Sequence, residues 1–266
     1  MRIRGLLLDV EGVLVRDKRY QAVDGAVEFI ARMRERHMPL CLISNNTTDA
    51  RPAIIEKLTR AGYDFQTDEL LTCIGAALDH LRQTGARRCL ILGTPDLGNA
   101  FAAAGFDPVE GADADAVVVG LDPELDHERL TLACHAILRS KARLIALHRN
   151  RLYTDAEGRD APSVGAIAEC LVYATQAEPE VMGKPSPAIF RQGLRVVGVP
   201  AEEALMVSDD PFSDLAGARR LGMKAAFVLS GKYPDRSIVE RIAPAERPDI
   251  IVDGIGDLSD SDLLAV

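Results

Sequence analysis

The sequence lacks long hydrophobic runs. No run approaches the roughly 20 apolar residues that a membrane-spanning helix requires. The apolar start, Leu6 to Leu8, ends at Asp9 and is too short for the hydrophobic region of a signal peptide. We therefore expect a protein with neither a secretory signal nor a membrane span.

The sequence also lacks a Cys-x-x-Cys pair. Its five cysteines are odd in number and widely spaced: Cys41, Cys73, Cys89, Cys134 and Cys170. This pattern argues against a disulfide framework and predicts reduced, mostly buried thiols in a cytoplasmic protein.

Basic residues are in deficit. The chain has 31 Lys and Arg against 40 Asp and Glu, a formal net charge of -9. This charge argues against nucleic acid or an anionic membrane as the main partner. A small anionic substrate remains compatible with it, because a local cation or metal can override the global sign.

What the sequence does contain is an alternation of apolar runs and amphipathic segments over 266 residues. The pattern predicts an α/β fold with a doubly wound parallel sheet. Predicted strands and helices include Leu6–Asp9, Ala26–Arg36, Leu40–Ile43, Pro52–Arg60, Cys89–Leu92, Ala116–Val119, Arg129–Leu138, Leu144–Leu147, Gly165–Thr175, Ala204–Val207, Asp214–Arg220, Ala225–Leu229 and Ile250–Val252.

The length and two breaks in the pattern predict two domains. Residues 1–77 and 180–266 would form a discontinuous core, and residues 78–179 would form an inserted, smaller α/β domain.

The first predicted strand ends in a charged turn. Asp9 closes the strand, Glu11 follows two residues later, and Gly12 permits a tight turn and a close backbone approach to a phosphate. Carboxyl ends of strands are where an open α/β sheet binds its ligand. Because burying such acids is costly, a metal or a proton is expected to compensate them.

Three further segments place polar residues where the same site could use them: Ser44-Asn45-Asn46-Thr47-Thr48, Gly183-Lys184-Pro185 and Ser208-Asp209-Asp210 through Asp214. Carboxylates, a hydroxyl and a lysine suit phosphoryl transfer. Hard oxygen ligands suit Mg²⁺, which also bridges to substrate phosphate.

Simpler interpretations stay open for several of these residues. Residues 44–48 and 209–214 are also typical helix N-caps, and Lys184 taken alone reads equally well as a surface lysine. His148 follows an apolar strand beside Arg149, where contact with substrate and local packing are equally compatible with the sequence.

Taken together, the motifs resemble those of the haloacid dehalogenase superfamily. The resemblance is to its NagD-like subclass, and within that to the phospholysine, phosphohistidine and pyrophosphate phosphatase-like group. It covers essentially the whole chain, and it rests on Asp9-x-Glu11-Gly12-Val13-Leu14, Ile43-Ser44-Asn45-Asn46-Thr47-Thr48, Gly183-Lys184-Pro185, Ser208-Asp209-Asp210-x-x-x-Asp214, Leu147-His148-Arg149-x-Arg151-x-Tyr153 and Pro162-Ser163-x-Gly165.

The resemblance implies a Rossmann-like core with a cap domain, and a Mg²⁺-dependent phosphatase. Asp9 would be the nucleophile and a metal ligand. Glu11 would be the general acid/base and would give its backbone carbonyl to the metal. Asp209 would ligate Mg²⁺, with Asp214 beside it as a ligand or a support.

The resemblance also implies how a small phosphorylated substrate is held. Ser44 would bind a phosphoryl oxygen, and Lys184 would bridge the nucleophile and the phosphate. Candidate substrate-binding residues are Gly12, Asn45, Asn46, His148 and Arg149. Caps of this kind often form dimer contacts, so the oligomeric state is open between a monomer and a homodimer.

Two residues depart from the family pattern. Glu11 stands where an aspartate is usual, and Ser208 stands where a glycine is usual. The extra methylene of Glu11 leaves a second function open, a phosphate-binding or regulatory protein with weak turnover. A third function, metal-free release of halide, makes little use of the acids around Asp209.

Overall fold

The computed structural model describes residues 2–16, 19–154 and 158–265. The chain divides into two compact units. The first unit comprises residues 1–44, 51–71 and 184–266, and the second comprises residues 45–50 and 72–183. That the second unit serves as a cap stays a prediction.

Strands and helices alternate along the described residues. The strands in chain order are β1 (Gly5–Leu8), β2 (Leu40–Ser44), β3 (Leu70–Thr72), β4 (Arg88–Leu92), β5 (Asp107–Pro108), β6 (Ala116–Val119), β7 (Arg143–Ala146), β8 (Leu152–Thr154), β9 (Asp160–Pro162), β10 (Glu180–Val181), β11 (Ala204–Ser208), β12 (Lys224–Val228) and β13 (Ile250–Val252). The helices are α1 (Ala26–Glu35), α2 (Arg51–Arg60), α3 (Cys73–Thr84), α4 (Pro95–Ala103), α5 (His127–Arg139), α6 (Val164–Thr175), α7 (Pro187–Val197), α8 (Ala216–Arg220) and α9 (Asp260–Ala265).

The first unit is built on a sheet of strand order β13-β12-β11-β1-β2-β3. Strand β1 pairs in parallel with both β11 and β2, and β12 pairs in parallel with β11 and β13. Every residue of β1, β2 and β11 is buried, as expected for parallel strands covered on both faces. Leu6 and Leu8 pack into one core cluster and Leu7 into another, following the two-residue period of a strand.

The second unit has its own parallel sheet, of strand order β10-β7-β6-β4-β5. An antiparallel pair, β8 with β9, lies apart from that sheet. The core of this unit is a single cluster that includes Phe101, Val118 and Leu144.

The architecture confirms the predicted α/β fold with doubly wound parallel strands. The predicted helix Asp214–Arg220 begins later than expected, at Ala216, because a π-helical turn, Pro211–Leu215, precedes α8. Asp210 caps this turn, because its Oδ1 accepts hydrogen bonds from the amides of Phe212 and Ser213. Across the described residues, no helix combines the length and the apolar content that crossing a bilayer requires.

Candidate active site

The candidate site lies at one edge of the first unit's sheet. Strands β12, β11, β1 and β2 are neighbours in that order and run in parallel, so their carboxyl ends meet at the same edge. Asp9 follows β1, Ser44 ends β2, and Asp209 follows β11. The parallel sheet therefore brings together three polar residues that are far apart in the chain, as expected for residues at strand ends.

Asp9 is held by a lysine and by its own neighbour. Its Oδ1 accepts hydrogen bonds from the Lys184 Nζ at 2.7 Å and from the Val10 amide at 2.8 Å. Lys184 is 1% exposed, and its Nζ also lies 2.6 Å from Oδ2 of Asp214. Lys184 is thus a buried bridge between two carboxylates, and not the surface lysine that the sequence alone left open.

A hydroxyl joins the same group of side chains. The Ser208 Oγ lies 2.8 Å from the Asp214 Oδ2 and 3.4 Å from the Asp9 Oδ2. It accepts a hydrogen bond from the Asp210 amide at 3.1 Å. Ser208 is fully buried.

Asp209 lies between two glycine backbones. Gly12 has a positive φ of 81°, and a Cβ built on either Gly12 or Gly231 would collide with the Asp209 carboxylate. Glycine therefore makes room for this carboxylate on both sides. Its Oδ2 accepts a hydrogen bond from the Lys232 amide at 2.7 Å.

Asp9 and Asp209 are costly to ionise because they are buried. Burial raises the pKa of Asp9; the Lys184 charge opposes this shift and the Asp209 charge adds to it. Burial likewise raises the pKa of Asp209 to about 6, partly offset by the hydrogen bond from the Lys232 amide. Burial lowers the pKa of Lys184, but Asp214 and Asp9 outweigh burial and raise it above its ordinary value.

The local charges do not balance. Among the described side chains that these contacts connect, four carboxylates lie beside two ammonium groups, an excess of two negative charges when all six are ionised: Asp9, Asp209, Asp210, Asp214, Lys184 and Lys232. Such an excess in a buried site favours a divalent cation.

The residues present fit Mg²⁺. The donors are oxygens, and the carboxylates of Asp9 and Asp209 are close enough for the charge of one to raise the pKa of the other. Within the described ranges, no three acidic, histidine or cysteine side chains form a ready metal cage. Mg²⁺ does not need one, because it is usually held by one or two carboxylates, waters and substrate phosphate.

Glu11 lies in the tight turn that follows β1. The Val10 carbonyl accepts hydrogen bonds from the amides of Leu14 and Val15, and the Gly12 amide returns to the Val15 carbonyl at 2.7 Å. This turn holds Glu11 two residues from Asp9, in a half-buried position.

The remaining predicted site residues belong to the second unit: Asn45, Asn46, His148 and Arg149. The Asn46 Oδ1 accepts hydrogen bonds from the Thr48 and Asp49 amides, so this side chain supports the turn before α2. The His148 Nδ1 accepts from the Asn150 amide at 3.2 Å. The Asn45 Oδ1 lies against Gly183, where a Cβ would collide with it.

Arg149 forms an exposed ion pair with Glu169. About half of each side chain is solvent-exposed. The predicted contacts of Arg149 and of the other three residues with substrate stay predictions.

The segment Ser230-Gly231-Lys232 also contacts the site, although the sequence did not predict it. The Ser230 hydroxyl donates to the Gly12 carbonyl at 2.6 Å, and the Lys232 Nζ pairs with the Asp210 Oδ2 at 2.8 Å. The sequence does contain an indication of this segment, because it follows the apolar strand β12 as Asp9 follows β1. Applying the strand-end rule to every predicted strand would have found it.

Comparisons with known proteins identify the family of the chain. Residues 6–107 match the family model described as haloacid dehalogenase-like hydrolase, and residues 181–258 match one described as HAD-hydrolase-like. The chain is 32% identical over 232 residues to haloacid dehalogenase-like hydrolase domain-containing protein 2 of Bos taurus, covering 87% of this chain and 86% of that one. It is 29% identical over 259 residues to the phospholysine phosphohistidine inorganic pyrophosphate phosphatase of Homo sapiens, covering 96% and 91%.

Solved structures show the same fold. The p-nitrophenyl phosphatase from Archaeoglobus fulgidus superposes with a TM-score of 0.85 at 27% identity, covering 97% of this chain and 98% of that one. NagD from E. coli superposes with a TM-score of 0.81 at 24% identity, covering 98% and 100%. The chain therefore belongs to the haloacid dehalogenase-like hydrolase family and has the fold of the NagD-like subclass, which confirms the predicted family and the predicted class of hydrolase.

Proposed function

We propose that this haloacid dehalogenase-like hydrolase is a Mg²⁺-dependent phosphatase that hydrolyses a small phosphorylated metabolite through an aspartyl phosphate on Asp9. One observation carries the proposal. Among the residues that the structure describes, the Lys184 ammonium and the Val10 amide hold the Asp9 carboxylate on Oδ1, while Oδ2 has only a long contact to the Ser208 hydroxyl. Oδ2 is therefore the oxygen placed to attack.

The chemistry takes two displacements at phosphorus. In the first, the Asp9 Oδ2 forms a bond to phosphorus, the bond to the leaving group breaks, and Glu11 gives the leaving group a proton. In the second, Glu11 takes a proton from water as that water bonds to phosphorus, and the bond to Oδ2 breaks. Phosphate leaves and the Asp9 carboxylate is restored.

The residues around Asp9 have supporting roles in this proposal. The Lys184 ammonium counters the negative charge on Asp9 and on the phosphoryl oxygens. Ser44, at the end of the neighbouring strand β2, holds a phosphoryl oxygen. Asp214 accepts from both Lys184 and Ser208, so it serves to hold the lysine in place.

Mg²⁺ would be held by Asp9, Asp209 and the backbone carbonyl of Glu11. When bound, it neutralises the excess negative charge and polarises the phosphoryl group. The two glycines that make room for Asp209 fix the position of this carboxylate.

The names of the relatives suggest where to look for the substrate. One is named for phospholysine, phosphohistidine and pyrophosphate, and another for p-nitrophenyl phosphate. We therefore propose small phosphoesters, phosphoramides and pyrophosphate as the substrate classes. The excess of acidic residues argues against nucleic acid as a partner.

The test is phosphate release from a panel of these compounds, with Mg²⁺ and with EDTA, by the wild type, Asp9→Asn and Glu11→Asp. We expect turnover by the wild type that requires both Mg²⁺ and Asp9. Turnover that is undiminished in Asp9→Asn would overturn the proposal, and undiminished turnover in EDTA would overturn its metal dependence.

One result would favour the alternative of a phosphate-binding protein with weak turnover. In that case the wild type would bind inorganic phosphate in the presence of Mg²⁺ but release almost none from the panel. Glu11→Asp would then restore turnover, because the shorter side chain is the one usual in the family.

A further inference from the structure

Ser208 occupies a position where the family pattern has a glycine. It is the last residue of β11 and pairs in parallel with Phe227 of β12. The side chain is fully buried, so the sheet accommodates it at the edge where the acids meet. A buried hydroxyl among carboxylates is not required for the fold, since glycine can end the same strand.

The hydrogen bonds of Ser208 are directional. Its Oγ accepts from the Asp210 amide at 3.1 Å, which leaves the hydroxyl proton for a carboxylate. The shorter acceptor contact is the Asp214 Oδ2 at 2.8 Å, and the longer one is the Asp9 Oδ2 at 3.4 Å. The hydroxyl thus donates mainly to Asp214 and lies against Asp9.

These contacts close a ring. The Lys184 Nζ contacts both the Asp9 Oδ1 and the Asp214 Oδ2. The Asp214 Oδ2 also accepts a hydrogen bond from the Ser208 Oγ. The ring returns to Asp9 through the 3.4 Å contact between the Ser208 Oγ and the Asp9 Oδ2. Both oxygens of Asp9 are therefore contacted by members of one connected network.

We propose that Ser208 is a positioning residue: its hydroxyl fixes Asp214 and so Lys184, and it sets the plane of the Asp9 carboxylate for attack on phosphorus. This inference rests on the proposed function of Asp9. Ser208 itself exchanges no proton and forms no bond with substrate.

The physical reason is the sensitivity of nucleophilic attack to orientation. Without the hydroxyl, Asp214 loses its hydrogen bond from Ser208 and keeps its contact with Lys184. The Asp210 amide also loses its acceptor. The Asp9 carboxylate can then rotate about its Cβ–Cγ bond more freely. A small misplacement of a reacting atom lowers the rate of the chemical step with little effect on ground-state binding.

The experiment compares Ser208→Ala and Ser208→Gly with the wild type, using p-nitrophenyl phosphate with Mg²⁺. We expect kcat to fall about tenfold in both, the size typical of losing one hydrogen bond to a charged group, with KM within about twofold. Ser208→Thr keeps the hydroxyl and should recover most of kcat. Unchanged kcat in both Ala and Gly variants, or a higher kcat in the glycine variant, would overturn the proposal.

A second readout does not depend on turnover. Beryllium fluoride bonds to carboxylate oxygens as a phosphoryl mimic, and ¹⁹F NMR reports its bound fraction. We expect the alanine and glycine variants to bind it several-fold more weakly than the wild type. Equal binding in all three proteins would contradict a positioning role.

A matched control is available in the same unit. Ser259 also accepts from a backbone amide and donates to a carboxylate, both of Asp262, but it lies at the start of α9. Ser259→Ala removes the same kind of hydrogen bonds and should leave kcat unchanged. Asp9→Asn separates the two proposals: if it stays fully active the proposed function fails, and if it is inactive while the Ser208 variants are normal only the present inference fails.

Discussion

The two units differ in the burial of the side-chain contacts that join residues far apart in the chain: these side chains are buried at the candidate site and partly exposed in the second unit. In the first unit, Ser208 and Asp9 are 199 positions apart and meet only because β11 and β1 are neighbours. In the second, His80 and Glu180 are 100 positions apart, and 30% of each side chain is exposed. Arg149 pairs with Glu169, 20 positions away, on an exposed surface. Buried charges from distant parts of the chain meet only in the folded sheet, and this burial distinguishes the candidate site from the exposed pairs of the second unit.

The largest effect should come from breaking the buried bridge. Lys184→Met leaves Asp9 and Asp214 buried without their cation, which typically costs about 3–5 kcal/mol of unfolding free energy. Urea denaturation at neutral pH measures it. Lys232→Met is the control, because Lys232 is 41% exposed and pairs with a single carboxylate, so about 1 kcal/mol or less is expected. Equal losses in both variants would contradict the special status of Lys184.

A change of opposite sign is expected at Asp209. This carboxylate is buried beside Asp214 and Asp210, so Asp209→Asn removes like-charge repulsion and should stabilise the protein by about 1–2 kcal/mol in EDTA. The variant should also lose Mg²⁺ binding, so Mg²⁺ should raise the Tm of the wild type and not that of the variant.

Asp210→Asn is the control for that experiment. It weakens the pairing with Lys232 and should slightly destabilise the protein. A Mg²⁺-dependent rise in Tm that persists in Asp209→Asn would contradict the assignment of Asp209 as a ligand.

An exposed cluster of the second unit should show a smaller, pH-dependent effect. Glu180 accepts from Arg143 and lies 2.6 Å from His80. Burial raises the pKa of Glu180, but the hydrogen bonds from Arg143 and His80 outweigh it and lower the pKa below 4.5. The lowered pKa stabilises the fold at pH values above the pKa that Glu180 has in the unfolded chain. This contribution is lost as the pH falls through the pKa of Glu180 in the folded protein.

Glu180→Gln should therefore cost about 1 kcal/mol at neutral pH, and the cost should shrink on acidification below about pH 4. Thermal melts between pH 3 and pH 7 test this, with the exposed Glu178→Gln as the control. A cost that stays constant across that range would rule out the charge as its cause.

The smallest effect is expected at the exposed pair. Arg149→Ala and Glu169→Gln should each change the free energy of unfolding by less than about 0.5 kcal/mol, because both side chains are about half exposed. A rise of KM confined to Arg149→Ala would establish the substrate contact that the sequence predicts, and would contradict a purely local role for this arginine.

The sequence predicts much of the first unit because its signals are simple. Apolar runs ending in Asp9, Ser44 and Asp209 mark strand ends, and parallel strands bring such ends to one edge. Lys184 is different: no periodicity relates it to Asp9, so its residue type alone suggests a place in the site, and the family resemblance adds its bridging role. The ring through Ser208 was not predictable either, because it depends on the side chain's direction within the folded sheet.

The second unit was harder to predict for a physical reason. Strands of two or three residues, such as β5, β8 and β10, are too short to show a period. Polar residues in its loops, such as Asn46, are equally suited to capping a turn and to binding a ligand. Sequence alone cannot separate these roles where the partner is only two or three positions away.

The central claim, that Asp9 is the nucleophile, is tested most directly by trapping its phosphoryl adduct. The wild type is mixed with a hydrolysed substrate and Mg²⁺, quenched in acid within milliseconds, and digested for mass spectrometry. We predict the added mass of one phosphoryl group on the peptide that contains Asp9, and none in Asp9→Asn. Rapid turnover with no adduct on Asp9, or an adduct on another residue, would contradict the account.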